Sequence, residues 1–250
     1  MKAHRRWAMV SLGAALVLAG CIPSWAAEVK SAQERLAEPE ICVHKRGPDD
    51  APSDAGAIIW AEPLCAEGYR NRALCLQRKG DFEGAIADFS EAIRLAPIEP
   101  VIPGYYVSKS DVYICRGQAF AEKGEWDKSL PDYAEALRLS PNNAHACYGR
   151  AWVHVNKGDY DEAIADYTDA IRLNPQFTDA YIGRAWVHGV KRGDYDKAIV
   201  DYTEAIRLSP ELPLAYYGRG WAYTKKGQTQ TADRDFARAK GYEQKGSKRT

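Results

Sequence analysis

The chain has 250 residues, enough for one or two domains. Hydrophobic residues make up 46% and charged residues 27%, so it can bury a core, and wholesale disorder is excluded. Its 34 Lys and Arg balance 34 Asp and Glu, with both signs alternating along the chain. This leaves no basic face of the kind that nucleic acid requires.

The first element is a leader. MKAHRR carries three Lys/Arg charges, and an apolar run extends from Trp7 to Gly20. This is the pattern of a secretory signal peptide over residues 1–26, too short to span a bilayer. Two exits compete. Leu18-Ala19-Gly20-Cys21 fits a lipobox, in which the leader ends at residue 20 and Cys21 is lipidated. Ser24-Trp25-Ala26 is a small-x-small cleavage site behind Pro23. The expected location is therefore periplasmic, either soluble or lipid-anchored to the outer membrane. Loss of Lys2, Arg5 and Arg6 leaves the mature chain slightly acidic.

Residues 27–65 read as a loop-rich segment with short helices that caps the array beginning at Ala66. Export permits disulfides. Five cysteines lie beyond Cys21: Cys42, Cys65, Cys75, Cys115 and Cys147. Cys65 and Cys75, if on one helix, are about 15 Å apart, beyond disulfide reach. Cys42 and Cys65 flank a stretch rich in Pro, Asp and Gly and form the candidate pair. The alternative is that all the thiols are free and buried.

From Ala66 the chain repeats with a period of 34 residues. The repeats are 66–99, 110–143, 144–177, 178–212 and 213–242, with an insertion at 100–109 and one extra residue near Arg192. Positions are counted from the first residue of each repeat. Position 8 is small (Ala73, Gly117, Ala151, Ala185, Gly220), and so is position 20 (Ala85, Ser129, Ala163, Ala198, Ala232). Position 27 is always alanine, position 15 always glycine (Gly80, Gly124, Gly158, Gly193, Gly227) and position 24 always aromatic (Phe89, Tyr133, Tyr167, Tyr202, Phe236). Position 32 is proline in the first four repeats. Each repeat thus holds two amphipathic helices, broken by the glycine and stopped by the proline. Small residues let the helices approach, and a single hairpin must stack on others to bury its face.

This pattern resembles the tetratricopeptide repeat (TPR), particularly the bacterial form with GDYDEAIADYTDAIRLNP, as at Gly158–Pro175. The resemblance covers Ala66 to about Tyr242. It implies an all-α fold, a right-handed superhelical solenoid of stacked helix-turn-helix repeats. The fifth repeat carries Asp233 and Lys240 where earlier repeats have Ile or Leu, which makes a wettable end to the stack. Residues 243–250 are expected to form a flexible tail.

Two charge columns run through all five repeats. Position 7 is Arg72, Arg116, Arg150, Arg184 and Arg219; position 23 is Asp88, Asp132, Asp166, Asp201 and Asp235. Equal numbers at fixed positions predict structural ion pairs between the two helices; the competing reading is an arginine ladder for an anionic ligand. Arg94, Arg138, Arg172 and Arg207 at position 29 suit the negative end of each second helix. No nucleotide-binding, zinc-protease or nucleophile-elbow motif occurs. His154 and His188 share position 11 with Phe120 and Tyr223, a packing position rather than a metal site. No cofactor, metal or catalytic residue is expected.

In the family that the chain resembles, the first helices line a concave groove. Carried over, position 9 places Leu74, Gln118, Trp152, Trp186 and Trp221 there, and position 5 places Arg70, Ile114, Tyr148, Ile182 and Tyr217. Gly149, Gly183 and Gly218 at position 6 would leave a bare notch beside each tryptophan for a partner's side chain; the alternative is that glycine admits close helix approach and tryptophan packs between repeats. The clamp that some relatives use for terminal carboxylates is absent: Leu74, Cys115, His145 and Gly149 stand where its Lys, Arg and Asn would be. The resemblance implies a non-enzymatic exported scaffold that binds a peptide or helix of a partner protein, in envelope or secretion-system assembly. The alternatives are a homo-oligomer that uses the groove for self-association, and a small-ligand binder or enzyme that uses the arginine column.

Overall fold

The structure is a computed structural model, and it describes residues 66–96 and 108–247. The leader, Cys21, the Cys42–Cys65 pair and the 27–65 segment lie outside the described residues. Among the described residues every element is helical, and none is long and apolar enough to cross a membrane.

The chain divides into two compact units at Asp159 and Tyr160. In the first, the described helices are α1 (Ala66–Lys79), α2 (Phe82–Leu95), α3 (Lys109–Glu122), α4 (Trp126–Leu139) and α5 (Ala144–Lys157). In the second they are α6 (Tyr160–Leu173), α7 (Thr178–Trp186), α8 (Tyr195–Leu208), α9 (Pro213–Lys225) and α10 (Thr229–Ser247). Each unit is built of antiparallel hairpins, α1 with α2, α3 with α4, α7 with α8 and α9 with α10, and each second helix packs on the next first helix of its unit.

The glycine of position 15 makes each hairpin turn. Gly80, Gly124, Gly158, Gly193 and Gly227 all have positive φ, between 70° and 90°, a conformation that costs other residues about 1 kcal/mol or more. Beside it, the N–H of position 16 returns to the carbonyl of position 11: Asp81 to Leu76, Glu125 to Phe120, Asp159 to His154 and Gln228 to Tyr223, at 2.8–3.0 Å. Asp81 and Asp194 then cap the second helix by accepting from the N–H of Gly84 and Lys197, worth about 1 kcal/mol each.

The extra residue of the fourth repeat lies in the first helix rather than in the turn where the sequence suggested it. After α7, Val187–Lys191 forms a π turn, closed by the Arg192 N–H on the Val187 carbonyl at 3.1 Å. A wider turn absorbs one residue without breaking the helix. The Asp194 N–H still reaches the position-11 carbonyl, of His188, at 2.8 Å.

The core is thin and lies between helices. In the first unit Phe89 is fully enclosed among Ala73, Ala85, Ala92, Val112 and Ala119, a burial worth about 1.5–3 kcal/mol. Tyr133 is enclosed in the same way by Ile114, Ala136, Ala146 and Val153. In the second unit Tyr202, Ala180, Ala185, Val187, Ala198 and Ala205 are buried. At the chain end Asp233 and Lys240 are exposed. Of the tail expected to be loose, 243–247 continue α10 to Ser247, and 248–250 lie outside the described residues. Tyr242 stacks on Tyr216 with centroids 5.6 Å apart, and the Tyr217 hydroxyl donates to Glu243 at 3.0 Å, so the added turn has its own contacts.

Candidate functional site

The arginine column is engaged within the repeats. Arg72, Arg116, Arg184 and Arg219 each direct Nε and Nη2 to the two carboxylate oxygens of Asp88, Asp132, Asp201 and Asp235, at 2.5–2.9 Å. These are bidentate forks between the two helices of one hairpin. The hydrogen bond to its aspartate raises the Arg116 and Arg219 guanidinium pKa values. Nη1 reaches back to the previous hairpin: Arg116 to Ser90, Arg184 to Thr168 and Arg219 to Thr203, at 2.9–3.1 Å. Each of those hydroxyls donates in turn to the carbonyl four residues earlier. Three donors of Arg116, Arg184 and Arg219 and two of Arg72 are therefore used within the repeats, which speaks against an anion ladder. Arg150 and Asp166 belong one to each unit.

A second ladder, not read from the sequence, joins successive repeats. The cation at position 14 meets the acid at position 18 of the repeat before: Lys123 with Glu83 and Lys157 with Asp127, at 3.1 and 2.6 Å, and Lys226 with Asp196. In the fourth repeat the π turn shifts this role to Arg192, which bridges to Asp161. The position-29 arginines pair three residues back with Glu91, Glu135, Asp169 and Glu204 on the exposed face, contacts worth a few tenths of a kcal/mol each.

The expected notch at position 6 is corrected. Gly149, Gly183 and Gly218 lie against the rings of Tyr133, Tyr167 and Tyr202, the position-24 aromatics of the preceding hairpins. The space left by the missing Cβ is thus filled by the protein's own tyrosine, and the glycines serve repeat stacking. Burial pushes the hydroxyl pKa values of these three tyrosines up.

The tryptophans also sit in the seams between repeats. Trp152 meets Trp126 edge-on at 5.3 Å, and Trp221 meets Tyr195 at 5.7 Å. Trp186 and Trp221 keep only 6% and 8% of their surface exposed, whereas Trp152 is half-buried. Ile114, Tyr148, Ile182 and Tyr217 are buried as well; Arg70, Leu74 and Gln118 are half-buried. Of the two readings of position 9, groove-lining tryptophan or tryptophan packed between repeats, Trp186 and Trp221 follow the second, and Trp152 keeps part of its ring in solvent.

Two features of this face are unresolved by packing. The indole Nε1 atoms of Trp186 and Trp221 are buried and have no hydrogen-bond partner. Over the same rings lie two ammonium groups, Lys191 at 5.1 Å from the Trp186 centroid and Lys225 at 5.7 Å from that of Trp221. In the first unit, α3 carries Glu122, which accepts from Gln77 at 2.8 Å and from Gln118. Burial pushes its carboxyl up to about 7.

His154 Nδ1 stands 3.4 Å from Asp159, and burial lowers the His188 pKa. Cys75 and Cys115 carry thiols rather than disulfides, and burial pushes Cys115 up to about 11, which suppresses its thiolate. Among the described residues no three His, Cys, Asp or Glu side chains gather as a metal site would require.

The comparisons with known proteins agree with this architecture. A profile described as "Tetratricopeptide repeat" matches residues 66–98, and another of that description matches 116–176 and 148–188. One described as "TPR repeat" matches 190–227. No curated protein matches. Among solved structures, a crystal structure of MamA is 26% identical over 69% of this chain and 95% of that one, with a TM-score of 0.60. MamA 41-end from Desulfovibrio magneticus RS-1 is 21% identical over 72% and 96%, with a TM-score of 0.60. YrrB, described as a TPR protein with an unusual peptide-binding site, is 20% identical over 77% and 93%, with a TM-score of 0.56. Taken together, the repeat profiles cover more than half of the 250 residues, and with the paired helices and their left-handed glycine turns they make this chain a member of the tetratricopeptide-repeat family.

Proposed function

We propose that the chain is a non-enzymatic scaffold, exported from the cytoplasm, that holds a segment of a partner protein against the first helices of its repeats. The observation that carries this reading is the row of Leu74, Gln118 and Trp152, which stand at one position of successive first helices and keep part of their surface in solvent. Side chains repeated at one position of stacked hairpins offer a continuous surface to an extended chain. Tryptophan is also among the residues that dominate binding energy at interfaces. YrrB, of the same fold, binds a peptide by its printed description.

Export rests on the leader sequence, with its basic start, its apolar run and the Leu18–Cys21 lipobox or the Ser24–Ala26 site. A scaffold outside the cytoplasm suits assembly work in the cell envelope.

Affinity capture with the tagged chain tests the scaffold. A partner recovered by the native protein is expected to be lost from Leu74→Ala/Trp152→Ala, which removes two of these partly exposed side chains. Unchanged recovery by a variant of native helicity would sink the reading. Fractionation tests export: Cys21→Ser is expected to move the protein from membranes to the soluble envelope fraction. A native protein that is already soluble there favours cleavage near Ala26, and a cytoplasmic one rejects export.

A further inference from the structure

The fifth repeat departs from the other four at three positions together. In the first four, position 26 is an acid (Glu91, Glu135, Asp169, Glu204), position 29 is its arginine partner and position 30 is leucine. In the fifth these positions are Arg238, Gly241 and Tyr242. The end of the stack does not call for these changes. Its wettable surface comes from Asp233 and Lys240, at positions 21 and 28. Positions 26 and 29 already pair on the exposed face in every earlier repeat, so nothing there needed to be made polar.

The three changed residues line one cleft. Gly241 and Tyr242 lie three and four residues after Arg238 on α10, and residues so spaced are neighbours on one helix face, about 5–6 Å apart. With Tyr216 of α9 they bound an open cleft of about 380 Å³. It sits at the base of the hairpin, the end opposite the Gly227 turn. Tyr216 is the floor: it is buried, its hydroxyl donates to the Pro210 carbonyl at 3.0 Å, and its ring stacks on Tyr242 at 5.6 Å. Arg238 and Gly241 are exposed, and Tyr242 is half-buried. A glycine within a helix costs about 1 kcal/mol against alanine. A Cβ on Gly241 would meet nothing within 4 Å, so packing does not demand this glycine; what it provides is room. Arg238 makes no ion pair among the described residues. Asp235, three residues back, is held in the fork of Arg219 at 2.7–2.8 Å, and Glu243 accepts from the Tyr217 hydroxyl.

We infer that Arg238, Gly241, Tyr242 and Tyr216 form a binding site for a small anionic ring compound. Its carboxylate or phosphate lies on the Arg238 guanidinium, and its ring lies against Tyr242 in the room left by Gly241. A guanidinium presents a planar fork of donors that matches either oxyanion. An exposed arginine alone holds such a group weakly, because water competes for it; a ring contact beside it supplies apolar area as well. The cleft is at the small end of the range for ligand sites, which suits one ring and its anion. The site uses the second helix and the hairpin base, and it stands apart from the first-helix row of the proposed scaffold.

The test titrates the 15N-labelled full chain with benzoate, phenyl phosphate, inorganic phosphate and phenol in turn. At least one of the two ring anions is expected to shift the backbone resonances of Gly241 and Tyr242, with a Kd of about 1 mM or tighter. The stronger of the two identifies the oxyanion. Inorganic phosphate and phenol, each lacking one half of the ligand, should bind at least about tenfold more weakly. Arg238→Gln should weaken the ring anion by about tenfold or more. Arg238→Glu/Gly241→Arg rebuilds the pair of the earlier repeats, so it should keep native helicity and lose the binding. Arg207→Gln, at an arginine paired with Glu204, should leave it unchanged. Absence of saturable shifts at Gly241 and Tyr242 with both ring anions would overturn the site. So would equal binding of inorganic phosphate or phenol, undiminished binding by the folded rebuilt variant, or an equal loss with Arg207→Gln. Affinity capture with the tagged chain decides the scaffold reading separately.

Discussion

A Cβ built on Gly183 would stand 2.6 Å from Cζ of Tyr167, so glycine and tyrosine are fitted to each other across adjacent hairpins. Tyr167 is buried, and its ring occupies the place that an ordinary helix residue would claim. The GRAWVH motif at Gly183–His188 therefore begins with a stacking residue, continues with an arginine locked to Asp201, and holds a tryptophan of which only 6% is exposed.

That fit predicts a coupled pair. Gly183→Ala should destabilise the chain by about 1–3 kcal/mol through overpacking, despite the better helix propensity of alanine. Combined with Tyr167→Leu, the loss should be less than the sum of the two single changes by about 1 kcal/mol or more. Urea unfolding of the four proteins measures it; strict additivity would mean that the ring moves aside freely.

Removal of one partner from a buried fork should be costly. Asp201→Ala strands the Arg184 guanidinium and is expected to lower stability by about 3–5 kcal/mol. Thr203→Val removes only the hydroxyl that Arg219 Nη1 reaches on the previous hairpin, and should cost about 0.5–1.5 kcal/mol. Thermal unfolding compares them, and a Thr203→Val loss as large as that of Asp201→Ala would contradict the roles assigned.

Glu122 should make stability depend on pH. Its folded pKa of about 7 is raised above that of an ordinary glutamate by burial. The folded protein therefore holds a proton that the unfolded chain has released. The stabilising effect of protonation is full below the ordinary pKa near 4.5 and is lost as pH rises to about 7. Glu122→Gln should match the native protein at pH 4.5 and be more stable at pH 8 by about 1–3 kcal/mol, less any cost in hydrogen bonds to Gln77 and Gln118. Denaturant melts at both pH values test this; a gap that does not change between them would refute it.

Deletion of Arg192 restores the regular repeat length. Lys191 should then take the bridge to Asp161, as Lys157 does to Asp127, and leave the Trp186 ring. Helicity and melting temperature should stay close to native, while the Trp186 indole resonance in 15N–1H spectra should shift as the ammonium leaves its ring. An unshifted resonance in the folded deletion variant would show that the π turn does not set the Lys191 contact.

The repeat register, the two helices of each repeat and the glycine turn were all legible from columns of residues, because each is set by local chemistry that recurs every 34 residues. Arg184 with Asp201 was legible for the same reason, since two invariant columns of opposite charge at fixed spacing need each other. The glycine of position 6 was not. A missing Cβ looks the same in a sequence whether a partner's side chain or the protein's own Tyr202 fills the space. The bridges of Lys157 to Asp127 and Lys226 to Asp196 were present as columns too, but only the stacking of one hairpin on the next reveals that positions 14 and 18 meet.

The sequence by itself determined an all-α chain of repeated hairpins, since helix period, small-residue columns and left-handed glycines are local properties that each repeat states for itself. Tertiary structure alone decided which side chains meet between hairpins. It placed tyrosines over the glycines and closed the guanidinium forks. It also absorbed one extra residue in a π turn, so that Lys191 rests on Trp186 and is not spent on Asp161. Such outcomes depend on which side chains reach the same point from different hairpins, a relation that no single repeat contains.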